Sequence, residues 1–277
     1  MNKKLKAILN VVIYSVLFYI ILYSLVALLK FEAVRSEAFY TWYLAHRSIL
    51  VITNDIISLI LFAFLIKFTH KEDLLTHCKF KKINFNAITV LTIVGLCAGI
   101  FTGAIVRTPF VASAAPSMGT LVNALFDGSP VTFFLLFLII GSIYKEVFFR
   151  GILFNELKIF LPFSVALILQ GLMYGVFFFQ TSVGLVLYGL LGAVLFAMLY
   201  KWFDSMWAPV SAQITSTGGM YLLYIMKGSF VDNNSYLISL ISFIAVIGGI
   251  YYLIKNKDNL TFNKEIAKST GDVSKGA

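Results

Sequence analysis

Apolar residues run along this chain in long blocks broken by short polar stretches. They do not alternate, nor do they recur every three or four positions. Blocks of this length predict helices buried on every side, the pattern of membrane spans. The first covers residues 7–29, behind a basic start at Lys3, Lys4 and Lys6. Its 23 residues, 20 of them apolar, exceed a signal-peptide core and no small-residue cleavage pattern follows, so a retained span is expected. Further blocks cover 48–66, 87–106, 131–144, 162–179, 183–200, 205–226 and 236–254. The fourth continues as a more polar helix to about Phe160. The expected fold is all-α, a polytopic membrane protein of about eight transmembrane helices. A single domain is expected over 1–254, followed by a polar tail over 255–277 that is too poor in apolar residues to fold alone. No fixed-period repeat is visible.

Composition agrees. Of 277 residues, 60% are apolar and 13% charged, and Phe and Tyr number 27 and 14. A soluble domain carries roughly 25% charged residues. A soluble enzyme, a disordered regulator and a disulfide scaffold are therefore excluded. The net charge of +9 would suggest nucleic acid in a soluble domain, but here the basic residues sort by side. With the N-terminus in the cytoplasm and eight spans, 17 of the 22 Lys and Arg fall in cytoplasmic segments and 5 outside. This places both termini in the cytoplasm of a plasma-membrane protein, with membrane lipid as a partner and no nucleic acid. Cys78 and Cys97 lie in different contexts, one in a Lys-rich loop and one in an apolar block, so no disulfide is expected.

Polar residues inside apolar blocks are candidates for function. Asn54-Asp55 in the second block suggests either a buried carboxylate for a proton or cation, or an interhelical hydrogen bond. The segment Lys145-Glu146-Val147-Phe148-Phe149-Arg150-Gly151 carries the strongest signal. Glu146 and Arg150 stand four apart on a helix, share a face and can pair.

This segment resembles the first motif, E-E-x-x-x-R, of the CAAX protease and bacteriocin-processing (CPBP, or Abi) family of intramembrane metalloproteases. The family's second motif, F-x-x-x-H, falls on Tyr174-Gly175-Val176-Phe177-Phe178. Its third, H-x-x-x-N or H-x-x-x-D after an apolar-Pro stretch, falls on Gln213 to Thr217, behind Ala208-Pro209. The resemblance covers about 131–226 in the family's order and spacing. For active members it implies that the first Glu and the second-motif His bind or activate the hydrolytic water, while the third-motif His and Asn hold the oxyanion or the metal. Those positions here are Lys145, Phe178, Gln213 and Thr217, and of the pattern only Glu146 and Arg150 remain.

The three histidines, His46, His70 and His77, all precede the motif block. Zinc takes thiolate, imidazole or carboxylate ligands. Within the block only Glu146, Glu156 and Asp204 offer these, and Glu156 and Asp204 are expected at the cytoplasmic rim. His70 and His77 are expected as solvated loop residues. Neither a cofactor nor a metal is expected. Arg150 would weaken Glu146 as a base, and Ser211 and Ser216 have no His. Lys145 is expected either to place its charge in the pocket where relatives carry a metal, facing Gln213 and Thr217, or to reach the membrane interface.

The leading functional expectation is a catalytically inactive family member, a scaffold or regulator that binds another membrane protein or a peptide helix, in a cell-envelope or bacteriocin-immunity role. Gly171, Gly175, Gly189, Gly192, Ser211, Gln213 and Thr217 are expected to let helices pack closely. The alternatives are an active CAAX-type endopeptidase with an unusual site and, last, a small transporter using Asp55 and the polar seventh span.

Overall fold

The computed structural model describes residues 2–126, 131–179, 182–226 and 228–260. Gln180, Lys227 and the tail beyond residue 260 lie outside the described residues. Every element among the described residues is helical, and each of the eight expected spans coincides with a helix. These are α1 (Lys3–Arg35), α2 (Arg47–His70), α3 (Phe85–Ile105) and α4 (Val131–Glu146). A π-helical segment (Val147–Leu153) carries α4 directly into α5 (Phe154–Phe160). Then follow α6 (Phe163–Phe179), α7 (Val183–Phe203), α8 (Trp207–Ile225) and α9 (Ser235–Lys255).

Local chemistry sets the ends of these helices. The Asn2 side chain accepts from the Lys4 amide to start α1, and Asn84 accepts from the Asn86 amide to start α3. Pro209 falls in the first turn of α8, where a missing amide hydrogen interrupts nothing. Lys71, at φ 63°, closes α2 in the left-handed conformation.

Five of these helices are long and apolar enough to cross a membrane by themselves: those at Lys3–Glu32, Ile49–His70, Phe85–Ile105, Val183–Phe203 and Ser235–Lys255. The expected count of about eight therefore divides. α6 has 17 residues, at the short end for a span, and α4 has 16 and ends on Lys145-Glu146. α8 is long enough, but Ser211, Gln213, Thr215, Ser216 and Thr217 dilute its apolar character. Apolar side chains lie open on the outer faces of the long helices, among them Phe64, Phe68, Leu191 and Ile241. In water such continuous exposure would drive aggregation, whereas in lipid it is the solvated face.

The chain forms two compact units. The first comprises residues 1–79 and 120–197. Its interior is aromatic: Phe18 stacks on Phe148 at 5.2 Å, Phe62 on Phe148 at 4.9 Å, and Phe149 meets Tyr174 edge-on at 4.9 Å. Here α6 and α7 approach closely, with Gly175 against the Val186 carbonyl and Gly171 against that of Leu190. Gly189 packs on Phe179 and Gly175, but a Cβ on Gly192 would meet nothing within 4 Å. Gly192 was expected to share in this packing and does not, because no neighbouring element comes within 4 Å of its side of α7.

The second unit comprises residues 80–119 and 198–277. In it α3 packs on α8 and α9. Gly95 and Gly99 of α3 lie directly over the backbone of Ala212 and Ser216, and Gly219 of α8 lies over the Leu96 carbonyl. Small residues at this spacing let two backbones touch, which is how membrane helices gain packing energy without a hydrophobic effect between them. The hydroxyls of Ser211, Thr215, Ser239 and Ser242 donate to carbonyls one turn back, so none is left without a partner in an apolar setting.

Candidate functional site

In the first unit, Glu146 is the last residue of α4 and Arg150 lies one turn on, inside the π segment. Both are fully buried, and Arg150 Nη1 stands 3.0 Å from Glu146 Oε1. The sequence-predicted ion pair is therefore present. The approach is charge to charge and not an aligned hydrogen bond, since both Glu146 oxygens and Arg150 Nη1 lack a hydrogen-bond partner. Arg150 is held by other means. Its Nη2 donates to the Ala193 carbonyl at 3.3 Å, and its guanidinium carbon lies 5.2 Å from the Tyr174 ring and 5.5 Å from the Phe196 ring. Gln170 Nε2 donates to the same carbonyl at 3.1 Å. Sequence reasoning missed Gln170, although a lone amide in the apolar run of α6 was the available signal.

The π segment has a physical role at this place. Its wider turn shifts the register of the helix, which closes with the Phe154 amide on the Phe149 carbonyl. Every residue from Val147 to Leu153 is buried. Polar and apolar side chains thus point inward from all sides of the helix.

Phe178 stands where the second motif has its His. Its ring lies 5.0 Å from Tyr174, 5.7 Å from Phe149 and 5.9 Å from Phe18. Lys145 is half-buried, with its ammonium 5.4 Å from the Phe137 ring and 5.9 Å from Phe178. Cation–π contact and the nearby charges of Asp55 and Glu146 hold it there. Asp55 is buried on α2; Asn54 Nδ2 donates to its Oδ1 at 3.2 Å, while Oδ2 has no partner. The structure thus brings Lys145, Glu146, Arg150, Phe178 and Asp55 into one charged and aromatic cluster. Gln213 and Thr217, the third-motif positions, lie in the second unit and bond each other, Gln213 Nε2 to Thr217 Oγ1 at 3.3 Å.

This donor set does not fit a metal ion at the motif positions. Glu146 is the one metal-binding group of the first-unit positions, and it faces a guanidinium. Lys145 presents an ammonium and Phe178 a hydrocarbon edge.

A second group of titratable residues forms where α2 ends. His70 and His77 were expected as solvated loop residues, and the structure overturns this. The side chain of His77 is 9% exposed and that of His70 19%, and their rings lie 4.5 Å apart. His70 Nε2 contacts Glu156 Oε1 at 2.5 Å, and His77 Nδ1 contacts Glu72 Oε1 at 2.6 Å. Glu156, expected at the rim, is buried at 1% exposure and also accepts from Asn10 Nδ2 at 2.9 Å. The connection following α2 folds back on α5, fixed by Asn155 Nδ2 donating to the His77 carbonyl at 3.4 Å. Asp73 caps the short Leu74–His77 helix through the Thr76 amide and hydroxyl, and those bonds hold its carboxyl below the ordinary range. Burial lowers the His77 pKa and raises that of the Cys78 thiol. Asp204 remains exposed and pairs with Lys81.

Comparison with known proteins bears on the first cluster. Residues 127–217 match the family model described as type II CAAX prenyl endopeptidase Rce1-like, in line with the motif frame read from the sequence. No curated protein and no solved structure matches the chain.

Proposed function

With residues 127–217 carrying a segment of the Rce1-like CAAX-protease type, we propose that this membrane protein is a catalytically inactive relative that works by binding. The observation that carries this reading is the burial of Glu146 against Arg150 beneath an aromatic wall that includes Phe178. Peptide hydrolysis at neutral pH needs an activated water and a stabilised oxyanion. The Glu146 carboxylate is engaged by the Arg150 guanidinium, and no imidazole reaches it from the second-motif position. The partner is a peptide helix or another membrane protein, in a cell-envelope or bacteriocin-immunity role.

The test is cleavage. Purified protein in liposomes, given a prenylated CAAX peptide, should release no more product than protein-free liposomes. Specific cleavage abolished by Glu146→Ala and by a chelator would return the chain to the endopeptidases. The 17 to 5 sorting of basic residues supports a proposed plasma-membrane topology with both termini on the cytoplasmic side. A reporter fused after Ala277 should therefore read as cytoplasmic, and an external reading would require an odd number of spans.

A further inference from the structure

The cluster at the end of α2 has the composition of a metal site, and His70, Glu72 and His77 all precede the motif block. One ring nitrogen of His70, one of His77 and one carboxylate oxygen of Glu72 all lie within 4.8 Å of one another. Two imidazoles and a carboxylate are a common ligand set for zinc. A tetrahedral ion with bonds of about 2.0–2.2 Å separates its ligand atoms by roughly 3.3–3.5 Å. The His77–Glu72 pair, at 2.6 Å, lies inside that spacing, and all three ligand atoms lie within 4.8 Å of one another. Small side-chain rotations reconcile the two, and Glu72, 39% exposed, is free to make them.

A second observation is independent of that spacing. Glu156 is buried at 1% exposure and directed at His70, and its Oε2 has no hydrogen-bond partner. His77 Nε2 is likewise buried without a partner. A carboxylate in this environment needs a positive charge to offset desolvation. The only ion-pair partner seen for Glu156 among the described residues is the His70 imidazole. A carboxylate bonded to a ligating imidazole is the usual outer support of a protein metal site, where it fixes the ring and raises its basicity. Asn10, donating to the same carboxylate, continues that support onto α1.

We propose that His70, Glu72 and His77 bind a divalent transition-metal ion of the zinc class, with Glu156 as the positioning residue that orients His70. The ion fastens the end of α2 and the short helix after it to α5 and α1. It lies away from the motif cluster, because His70 follows Asp55 by fifteen residues on α2, about 22 Å along that helix.

The experiment uses the full chain in detergent, carried on a tag without histidine, stripped with a chelator and titrated with Zn²⁺ alone. Wild type should retain one Zn²⁺ per chain through gel filtration and melt at a higher temperature when loaded. His77→Ala and Glu72→Gln should each weaken retention by about 100-fold or more, and Glu156→Gln by about 10–100-fold. The exposed position of Glu72 keeps the test informative if His77→Ala fails to fold. Gly218→Ala, where a Cβ meets nothing within 4 Å, should bind Zn²⁺ as wild type does. No retention by wild type, or retention by Glu72→Gln and His77→Ala equal to that of wild type, would overturn the site. The outcome is separable from the binding-only reading. Zinc retained without peptide cleavage leaves both standing, and zinc-dependent cleavage lost in Glu72→Gln keeps the site and removes that reading.

Discussion

Replacing Arg150 with Met should cost about 3–5 kcal/mol of stability, because Glu146 is then left without its ion-pair partner at zero exposure. For a chain of this size that corresponds to a melting temperature lower by on the order of 10 °C in detergent. Glu146→Gln should fall in the same direction and by less, since the amide keeps the volume and Arg150 keeps Ala193, Tyr174 and Phe196. The double variant should recover part of the loss, because two apolar or neutral groups in place of a buried pair are tolerated better than one orphaned charge. The measurement is the melting curve of each of the four proteins, which forms a double-mutant cycle. Additive losses, with no recovery in the double variant, would show that the two charges do not stabilise each other.

What the sequence disclosed of this site follows from the range of each interaction. The apolar runs announced the helices because span length is written directly in residue count. Glu146 and Arg150 announced their pairing because four residues on a helix set the spacing without help from the rest of the chain. The π segment had no such signature, since Val147–Leu153 reads as ordinary apolar helix and the wider turn is settled by what packs around it. The pairing of His70 with Glu156 was illegible for a different reason. A polar loop reads as solvated unless something distant covers it, and the covering groups arrive from Asn10 and Glu156. Glycines show the same limit within a single helix. Gly189 and Gly192 look alike in sequence, and only the direction from which α6 approaches makes the first a contact and the second open.

Charge and aromatics govern the first unit, and backbone proximity governs the second, where the largest single-residue effects should come from glycine. A side chain at Gly99 would run into the Ser216 carbonyl, and one at Gly219 into the Leu96 carbonyl. In both cases the obstacle is main chain, which cannot rotate away as a flexible side chain would. Gly99→Leu and Gly219→Leu should therefore force α3 and α8 apart, at about 3 kcal/mol or more, with a correspondingly lower yield of folded protein. Even Gly99→Ala and Gly219→Ala should destabilise, although alanine is the better helix former. Gly218 supplies the control, because it neighbours Gly219 on the same helix and a Cβ there meets nothing within 4 Å. Gly218→Ala should leave the melting temperature unchanged or raise it slightly, by about the 1 kcal/mol of helix propensity that separates the two residues. Thermal melting of the alanine variants, with yield from membranes for the leucine pair, checks this. Equal tolerance of alanine at 218 and 219 would mean that α3 and α8 do not meet backbone to backbone.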